Sequence, residues 1–434
     1  MRTKINPPRS ERCASCFVDH RKLPGTKCEE PRAPPLRRLR SVGCPAANPS
    51  DYLLRGSQEP VANLPKSNVS RATDIFSRYG ALARIAPLAF VLLTPLGEYV
   101  FHLSPIWVFG SGVLAIAVLA EWIRVATDQL STHTGPALGG LLTVSLGSLA
   151  ELILALFVLW RGQVDVVHAQ ITGSVAATCL LGLGLAIVAG GLNRERQRFT
   201  QARAGLLSSM LVLSVIALLL PAVFDYTGRS IRHIHDVGAS DELLSLAVSV
   251  VLLILYAGNL VFTLITHRNV FAANEDASAE PAWSATICLV VLLACTGAAA
   301  LQSEFVSGAL TEAAKSTGVT PLFLGVVVLA LVGTSSDIFA AVWFARRDRM
   351  GLVMTLCIGS AIQVALVVAP LLVIFSWLIG KPMTLVFQNP VDLFTIAGTA
   401  FIVNAITRDA ETTWFEGLLL IGVYVVLALA YYFS

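Results

Sequence analysis

Long apolar runs dominate this 434-residue sequence from residue 81 onward. About eleven of them reach or approach the roughly 20 residues that a helix needs to cross a hydrocarbon core of about 30 Å. Their ranges are 81–101, 105–124, 136–160, 166–192, 204–224, 241–265, 283–302, 319–345, 350–379, 391–407 and 414–433. Because lipid offers no hydrogen-bond partner to an open backbone, such runs predict helices. With 55% hydrophobic and 14% charged residues, the chain is excluded from the ordinary soluble class. The fold class is therefore an all-α polytopic membrane protein.

The N-terminal segment 1–79 has a different character, because it is rich in proline and holds 15 Lys and Arg against seven Asp and Glu. This composition predicts a disordered basic cytoplasmic tail ahead of a transmembrane domain at 80–434. Four of the eight cysteines lie in the tail: Cys13, Cys16, Cys28 and Cys44. Either they are reduced thiols or they form a small zinc site. The other four lie in apolar runs and are expected to be packing residues: Cys179, Cys288, Cys295 and Cys357.

A cytoplasmic tail fixes the orientation of every following run by the positive-inside rule. The loops then placed inside hold nine arginines: Arg194, Arg196, Arg198, Arg203, Arg268, Arg346, Arg347, Arg349 and Arg408. The outer loops hold five basic residues: Arg161, Arg229, Arg232, Lys315 and Lys381. The charge difference supports an odd number of crossings, with the C-terminus outside.

An internal repeat appears when the sequence is shifted against itself by 186 residues. Seven identities align without a gap, and they pair Gly139 with Gly325, Gly147 with Gly333, Ala155 with Ala341, Arg161 with Arg347, Gly173 with Gly359, Ser174 with Ser360 and Leu180 with Leu366. In the same frame Glu151 meets Asp337, and Ser148 meets Thr334. Two acids at matching places in two apolar helices are unlikely to be accidents of packing.

The spacing of the repeat has a topological consequence, because five predicted helices separate one copy from the next and an odd number reverses the direction across the bilayer. We therefore expect two inverted five-helix halves, 105–265 and 283–433, after a separate first helix at 81–104. Inverted repeats are typical of secondary transporters, whose ion sites lie near the membrane midplane.

Glu151 and Asp337 are the candidate ion-binding residues. A charged acid at a helix centre costs roughly 2.5–3.5 kcal/mol or more, so each should face the protein interior and carry a proton or a cation. Two protons or one divalent cation neutralise the pair equally well. A site that binds either the two protons or the divalent cation, but not both at once, would couple the movement of protons to the movement of the cation.

The neighbours of the two acids suit a hard cation. Ser148 and Thr334 lie three residues before their acids and share the helix face, where they offer hydroxyl oxygens. Gly147 and Gly333 stand one residue earlier, where a helix can open and release carbonyl oxygens. Calcium accepts such a mixture of oxygen ligands. The pairs Gly173–Ser174 and Gly359–Ser360 each open a second helix in their repeat and could add backbone or hydroxyl oxygens. For the two serines, helix packing and ligation are equally plausible.

The stretches "ATDQLSTHTGPALGGLLTVSLGSLAELILALFVLWRGQVDVV" (126–167) and "GTSSDIFAAVWFARRDRMGLVMTLCIGSAIQVALVVAPLLVIFSWLIGKPMTLVF" (333–387) resemble the two alpha-repeats of calcium/proton exchangers of the CAX type, in the calcium/cation antiporter superfamily. "YAGNLVFTLITH" (256–267) and "SEFVSGALTEA" (303–313) extend the resemblance over nearly all of 82–433. It implies an eleven-helix antiporter that exchanges Ca²⁺ for H⁺ as transported substrates, without a cofactor.

The sequence departs from the family motifs GNxxE and GNxxEH at four positions. Ser148 and Thr334 replace the asparagines, Asp337 replaces the second glutamate, and Ile338 stands at the place of the histidine. Gln363 keeps the family residue in the second repeat, whereas Ala177 and Thr178 replace its Ser-Asn in the first. Oxygen ligands and both charges are retained, but an antiporter selective for Mn²⁺, Na⁺ or K⁺ stays an alternative to a calcium exchanger.

Two other classes stay open: a passive cation channel, and a non-transporting membrane scaffold or sensor. A channel is expected to have a ring of identical subunits, which two acids in two inverted halves do not suggest. No spaced nucleophile pattern indicates an enzyme, and no nucleic-acid partner is expected. The bilayer is the expected surroundings, in a vacuolar or other organellar membrane or in the plasma membrane. The oligomeric state is left undecided.

Overall fold

The computed structural model describes residues 89–192, 194–230, 238–262 and 283–433. The predicted tail with its four cysteines and the first residues of the predicted first helix lie outside the described residues. Within the described residues, the chain forms helices joined by short connections, together with one two-stranded pairing.

Eleven helical segments fill the described part of the chain. They are α1 (Ala89–Tyr99), α2 (Pro105–Gly147), α3 (Leu149–Trp160), α4 (Val164–Gly191), α5 (Gln201–Ser230), α6 (Gly238–Val261), α7 (Ala285–Thr317), α8 (Pro321–Arg346), α9 (Met350–Leu378), α10 (Pro390–Ile406) and α11 (Trp414–Phe433). Several begin where the sequence supplies a helix start. Asn389 accepts a hydrogen bond from the backbone N–H of Val391 ahead of α10, and Thr320 does the same for Phe323 in α8.

The helices make this chain an integral membrane protein. Eight of the described helices contain stretches that are long and apolar enough to cross a bilayer, and α3 and α10 are shorter apolar helices. Large apolar side chains are exposed along the outer helices, including Leu213, Ile254, Leu293 and Phe401, which are 63–72% exposed. Such a surface would be unfavourable in water and suits lipid. The number of crossings, predicted as eleven, stays a prediction.

Two helices occupy the centre of the molecule. In the apolar window of α4, 83% of the residues are buried, and in that of α9 72% are buried, whereas the value for α6 and α11 is 22%. The centre is closely packed because glycines let backbones meet. A Cβ added to Gly184 of α4 would lie 2.8 Å from the carbonyl oxygen of Gly417 in α11, and one added to Gly417 would lie 2.7 Å from that of Gly184.

Both central helices widen to a π-helical turn at matching places. These turns cover Ala177–Gly182 in α4 and Val364–Val368 in α9, and a third covers Leu324–Leu329 in α8. The first two coincide in the frame of 186 residues that relates the sequence repeats. They begin three residues after Ser174 in α4 and four residues after Ser360 in α9. π-helical turns are rare and often mark functional positions.

Helix boundaries differ from the prediction in two places. The runs 105–124 and 136–160 were expected to be separate helices, but α2 continues from Pro105 to Gly147, through residues 125–134, which contain neither glycine nor proline, and also through Gly135 and Pro136. The loop expected after residue 302 is also helical, since α7 extends to Thr317. It ends at Gly318, whose φ of 72° lies in the left-handed region that favours glycine.

A short antiparallel pairing joins two connections on one side of the helices. β1 (Gln197–Arg198) pairs with β2 (Glu411–Thr412), and Arg196 and Arg198 each donate to the Glu411 carboxylate at 2.9 Å. The hydrogen bond from Arg196 holds the pKa of Glu411 below its usual range. Both connections belong to the side that the charge distribution predicts to be cytoplasmic.

Candidate ion-binding site

Glu151 lies at a real helix break. Helix α2 ends at Gly147, and Ser148, with φ −95° and ψ 17°, separates it from α3. The opening that was predicted beside Gly147 is therefore present. Glu151 falls in the first turn of α3, where free backbone N–H groups favour a negative charge. Its side chain is buried, with 3% exposed.

Asp337 lies in an unbroken helix. The opening predicted beside Gly333 is absent, because α8 runs helically through that residue. Here the glycine has another use: an added Cβ would lie 3.2 Å from both Cβ and Cγ of Glu151. Gly333 therefore lets the two repeats approach each other at the first acid. Because Gly333 lies one helical turn before Asp337 on α8, the two acids lie on helices that are in direct contact.

Each acid faces the serine of the helix that follows it in its own repeat. The Ser174 hydroxyl on α4 lies near the Glu151 carboxyl and is buried without a hydrogen-bond partner among the described residues, and the Ser360 hydroxyl on α9 lies near the Asp337 carboxyl. These two pairs coincide in the frame of 186 residues. Neither serine begins a helix, as the prediction had it, because both lie well inside α4 and α9. Both serines therefore lie beside the acids, and their role as ligands stays a prediction.

The glycines before these serines differ in their surroundings. A Cβ on Gly173 would overlap the carbonyl oxygen of Val326 in α8, so Gly173 permits close helix packing. An added Cβ on Gly359 would meet nothing within 4 Å. Gly359 instead lines a cavity. The first glycine is thus a packing residue, and the second keeps space open.

Thr334 and Ser148 are both buried near the acids, with 1% and 7% exposed. The Thr334 hydroxyl donates to the carbonyl oxygen of Ala330 at 2.9 Å, one helical turn earlier. Its oxygen keeps lone pairs that a cation could use. Gln363 reaches from α9 towards the helix break, because an added Cβ on Gly147 would lie 3.9 Å from its Oε1. All the predicted residues except Gly173 and Gly333, which serve helix packing, therefore have an oxygen or an open position to offer.

A cavity of about 360 Å³ leads to one of the two acids. Asp337, Ser360, Gln363, Gly147 and Gly359 line it, and Glu151 does not. Its other lining residues come from α2, α5, α6, α8 and α9: Arg124, Thr127, Asp128, Thr143, Leu207, Tyr256, Asn259, Leu260, Ala340, Phe344, Leu352, Thr355, Leu356 and Ile362. Phe344 and Leu352 flank the connection that carries Arg347 and Arg349. The cavity therefore extends from Asp337 towards the side where that connection lies.

Arg124 and Asp128 in this lining were missed by the sequence reasoning, which placed residues 125–135 in a loop. Arg124 forms ion pairs with Glu121 at 2.7 Å and with Asp128 at 3.0 Å on the same helix. The signal was present, because charges spaced by three and four residues share a helix face. Only the continuity of α2 brings them into the cavity.

Metal-ligand residues of the softer kind do not gather near the acids. Within the described ranges, no group of three or more His, Cys, Asp and Glu is arranged to hold a metal ion. A cation here would depend on two carboxylates together with hydroxyl, amide and water oxygens, which suits a hard ion. Cys179 and Cys357 are buried beside each other as packing residues, with the Cys179 Sγ 3.9 Å from the carbonyl oxygen of Cys357.

Comparison with known proteins gives a consistent result. The family model described as sodium/calcium exchanger protein matches residues 104–265 and 287–433. A Ca(2+)/H(+) antiporter from Aphanothece halophytica is 36% identical over 361 residues, which cover 80% of this chain and 95% of that protein. A vacuolar calcium ion transporter from Schizosaccharomyces pombe is 33% identical over 332 residues, which cover 75% of this chain and 79% of that protein.

Solved structures agree with this fold. The structure of native YfkE is similar with a TM-score of 0.69 and 30% identity, covering 81% of this chain and 99% of that one. The crystal structure of the H+/Ca2+ exchanger CAX is similar with a TM-score of 0.65, covering 81% of this chain and 89% of that one. At 17% identity, the second similarity concerns the fold alone.

Proposed function

The chain belongs to the sodium/calcium exchanger protein family, and on that premise we propose that it exchanges Ca²⁺ for H⁺ across a membrane through a site built on Glu151 and Asp337. The relative from Aphanothece halophytica, which is named as a Ca(2+)/H(+) antiporter, supports these two substrates. One observation supports the assignment of the site: the helices that carry the two acids pack together at Gly333, and each acid lies beside the serine of its own repeat.

The coupling follows from charge. Without a load, the site holds two negative charges in the interior, and burying them during a conformational change is costly. One Ca²⁺ or two protons remove that charge, so only a loaded protein can reorient. Protons and Ca²⁺ exclude each other because a protonated carboxyl no longer attracts the metal. Exchange is then obligatory, electroneutral and reversible.

The ligands for Ca²⁺ would be oxygens from both repeats. The carboxylates of Glu151 and Asp337 supply the charge, and the hydroxyls of Ser174, Ser360 and Thr334 supply neutral oxygens. The Gln363 amide oxygen and water would complete the six to eight ligands that calcium takes. Ser148 and the helix break at Gly147 add a hydroxyl group and backbone carbonyls on the first repeat.

Alternating access would use two inverted five-helix halves, 105–265 and 283–433, after a first helix. The matching π-helical turns in α4 and α9 and the matching acid-serine pairs support this arrangement. The positive-inside rule assigns the connection at Arg347 to the cytoplasm. On that orientation the cavity at Asp337 opens inward, and the described conformation corresponds to the state that takes up cytoplasmic Ca²⁺.

The replacement of family residues bears on selectivity. An aspartate is shorter than a glutamate by one carbon–carbon bond, about 1.5 Å, so water would fill part of the coordination shell at Asp337. We expect Asp337→Glu to keep exchange and to change the preference between Ca²⁺ and Mn²⁺. No observation favours a Na⁺- or K⁺-selective antiporter, a channel or a scaffold over the calcium exchanger. We place the protein in a vacuolar or other organellar membrane or in the plasma membrane.

The proposal is tested in liposomes that contain the purified full-length protein. A Ca²⁺ gradient should drive proton movement in the opposite direction, recorded with a pH-sensitive dye. Glu151→Gln and Asp337→Asn should each lower the rate at least about 100-fold, because an amide keeps the volume and loses the titrating charge. Glu304→Gln, which changes an exposed acid of α7 remote from the site, should exchange normally.

Each alternative has its own outcome in this assay. Ca²⁺ movement without proton movement would indicate a channel, and no movement of any cation would indicate a scaffold. Proton movement driven by Mn²⁺, Na⁺ or K⁺ but not by Ca²⁺ would overturn the substrate. Normal exchange by Glu151→Gln would overturn the site.

A further inference from the structure

A charged cluster on α2 borders the cavity, and the exchange chemistry does not use it. Arg124 donates hydrogen bonds from Nε and Nη2 to the Glu121 carboxylate at 3.1 and 2.7 Å, and from Nη1 to Asp128 at 3.0 Å. Arg124 and Asp128 line the same cavity as Asp337, whereas Glu121 does not. A fixed positive charge therefore stands on the route by which a cation would reach Asp337.

We propose that Arg124 is a built-in counter-charge to Asp337 that sets the affinity for the incoming cation, and that Glu121 and Asp128 limit its strength by pairing with it. The inference rests on the proposed function, because it needs Asp337 to bind the cation. It assigns Arg124 a tuning role, and not the role of a ligand.

Electrostatics gives this arrangement its direction. The positive charge of Arg124 interacts with Asp337 as well as with its two hydrogen-bonded partners. It stabilises the unloaded site and repels a divalent cation, so both effects weaken Ca²⁺ binding. Because guanidinium stays protonated at every relevant pH, the effect is permanent and does not follow the titration of the acids.

The size of the effect is limited by water. The Arg124 side chain is 23% exposed, and those of Glu121 and Asp128 are 42% and 44% exposed. Partly exposed charges beside an open cavity interact through a higher effective dielectric constant than fully buried ones. We therefore expect changes of several-fold in affinity and no loss of exchange.

The inference predicts opposite effects for two partners of one ion pair. Arg124→Gln should lower the half-saturating Ca²⁺ concentration about threefold to fivefold, because the repulsion is gone. Glu121→Gln should raise it about twofold, because Arg124 loses a neutralising partner and faces the cavity with more of its charge. Arg124→Lys should stay within about twofold of the natural protein. If the cluster only braced α2, breaking the pair from either side would shift the affinity in the same direction.

The experiment uses the full-length protein in liposomes, with Ca²⁺ presented to the side where the cavity opens. Half-saturation of Ca²⁺-driven proton movement is measured for each variant, and equilibrium binding of radioactive calcium to detergent-solubilised protein provides a second readout. Arg161→Gln is the matched control, because Arg161 is also partnered by an acid, Glu304 at 4.0 Å, but lies outside the cavity at Asp337. It should leave the half-saturation unchanged.

Two results would overturn the inference. One is an unchanged or higher half-saturation in Arg124→Gln, and the other is a shift of Glu121→Gln in the same direction as Arg124→Gln. These results differ from a failure of the proposed function, in which the natural protein itself would bind or exchange no Ca²⁺. Repeating the assay at high ionic strength should reduce both shifts, as expected for partly exposed charges.

Discussion

The two acids occupy equivalent places in the two repeats, yet their surroundings differ. Glu151 is 3% exposed, lies at the start of a new helix and packs against Gly333 of the other repeat. Asp337 is half-buried in a continuous helix and lines the cavity. The partner glycine of the first repeat, Gly147, is not packed against Asp337, since only Gln363 comes within 4 Å of an added Cβ.

The difference indicates how one site could serve two sides of a membrane. If the halves are inverted, a second conformation would exchange their environments, so that Glu151 becomes accessible and Asp337 becomes enclosed. The sequence symmetry then describes the two conformations together, while any single conformation must be asymmetric. On this account Ser174 and Ser360 are the best-matched pair for testing the asymmetry, because they stand beside equivalent acids.

The largest expected effect is in chemical accessibility. In a variant without its eight natural cysteines, Ser360→Cys should react quickly with a charged thiol reagent added at the cavity side. Ser174→Cys, which is fully buried away from the cavity, should not react. Mass spectrometry measures the modified fraction over time. Equal rates for the two positions would break the comparison.

The same labelling sharpens the comparison when it is repeated from the opposite side during turnover. Ser174→Cys should then react faster than Ser360→Cys, since the enclosed repeat would be the one that opens outward. Ca²⁺ should slow both reactions by occupying the site. A Ser174→Cys variant that stays unreactive from both sides would contradict alternating access through Glu151.

A smaller effect is expected from the two equivalent glycines. Gly333→Ala places a methyl group 3.2 Å from the Glu151 side chain, so the acid must move by a few tenths of an ångström. We expect the half-saturating Ca²⁺ concentration to rise about tenfold, equivalent to roughly 1.4 kcal/mol. Gly147→Ala meets only the Gln363 oxygen at 3.9 Å and should change it less than about twofold. Equal effects of the two substitutions would contradict the asymmetric packing.

The smallest effect concerns the helices that open each half. Gly318 ends α7 with a φ of 72°, and the equivalent position in the first repeat, Thr132, lies inside the continuous helix α2. Gly318→Ala should lower the free energy of unfolding by about 1 kcal/mol, because alanine is strained in the left-handed region. Thr132→Ala should change it by less than about 0.5 kcal/mol. Thermal unfolding of the purified variants measures both values.

The helices and the pair of acids, Glu151 and Asp337, show what the sequence could predict. Apolar runs and their spacing indicated the helices, because lipid leaves the backbone little choice. The repeat indicated Glu151 and Asp337 as partners. The sequence did not show that α2 continues past residue 124, since a polar stretch without glycine or proline suits both a loop and a helix. Consequently Arg124 was predicted to end a helix and Asp128 to lie in a loop, and their common position on one helix beside the cavity was not predicted.

The environments of the acids were also beyond the sequence. The identity of Gly147 and Gly333 in the repeat predicted a helix opening at both, but only Ser148 interrupts its helix. The helix opens beside Gly147, whereas Gly333 packs against Glu151 of the other repeat. This difference depends on how the helices of the two repeats cross, which local sequence does not determine. The serines beside the acids illustrate the same point, because sequence spacing alone left ligation and packing equally plausible.

The central claim is that Glu151 and Asp337 form one site that carries either one Ca²⁺ or two protons. The most direct test records Ca²⁺ and proton movement together in the same liposomes, with the membrane voltage clamped by a potassium ionophore. We expect two protons for each Ca²⁺, no dependence on voltage, and a Ca²⁺ half-saturation that rises as the pH falls. Calcium movement that carries charge, proceeds without protons or keeps one half-saturation at every pH would contradict a shared site.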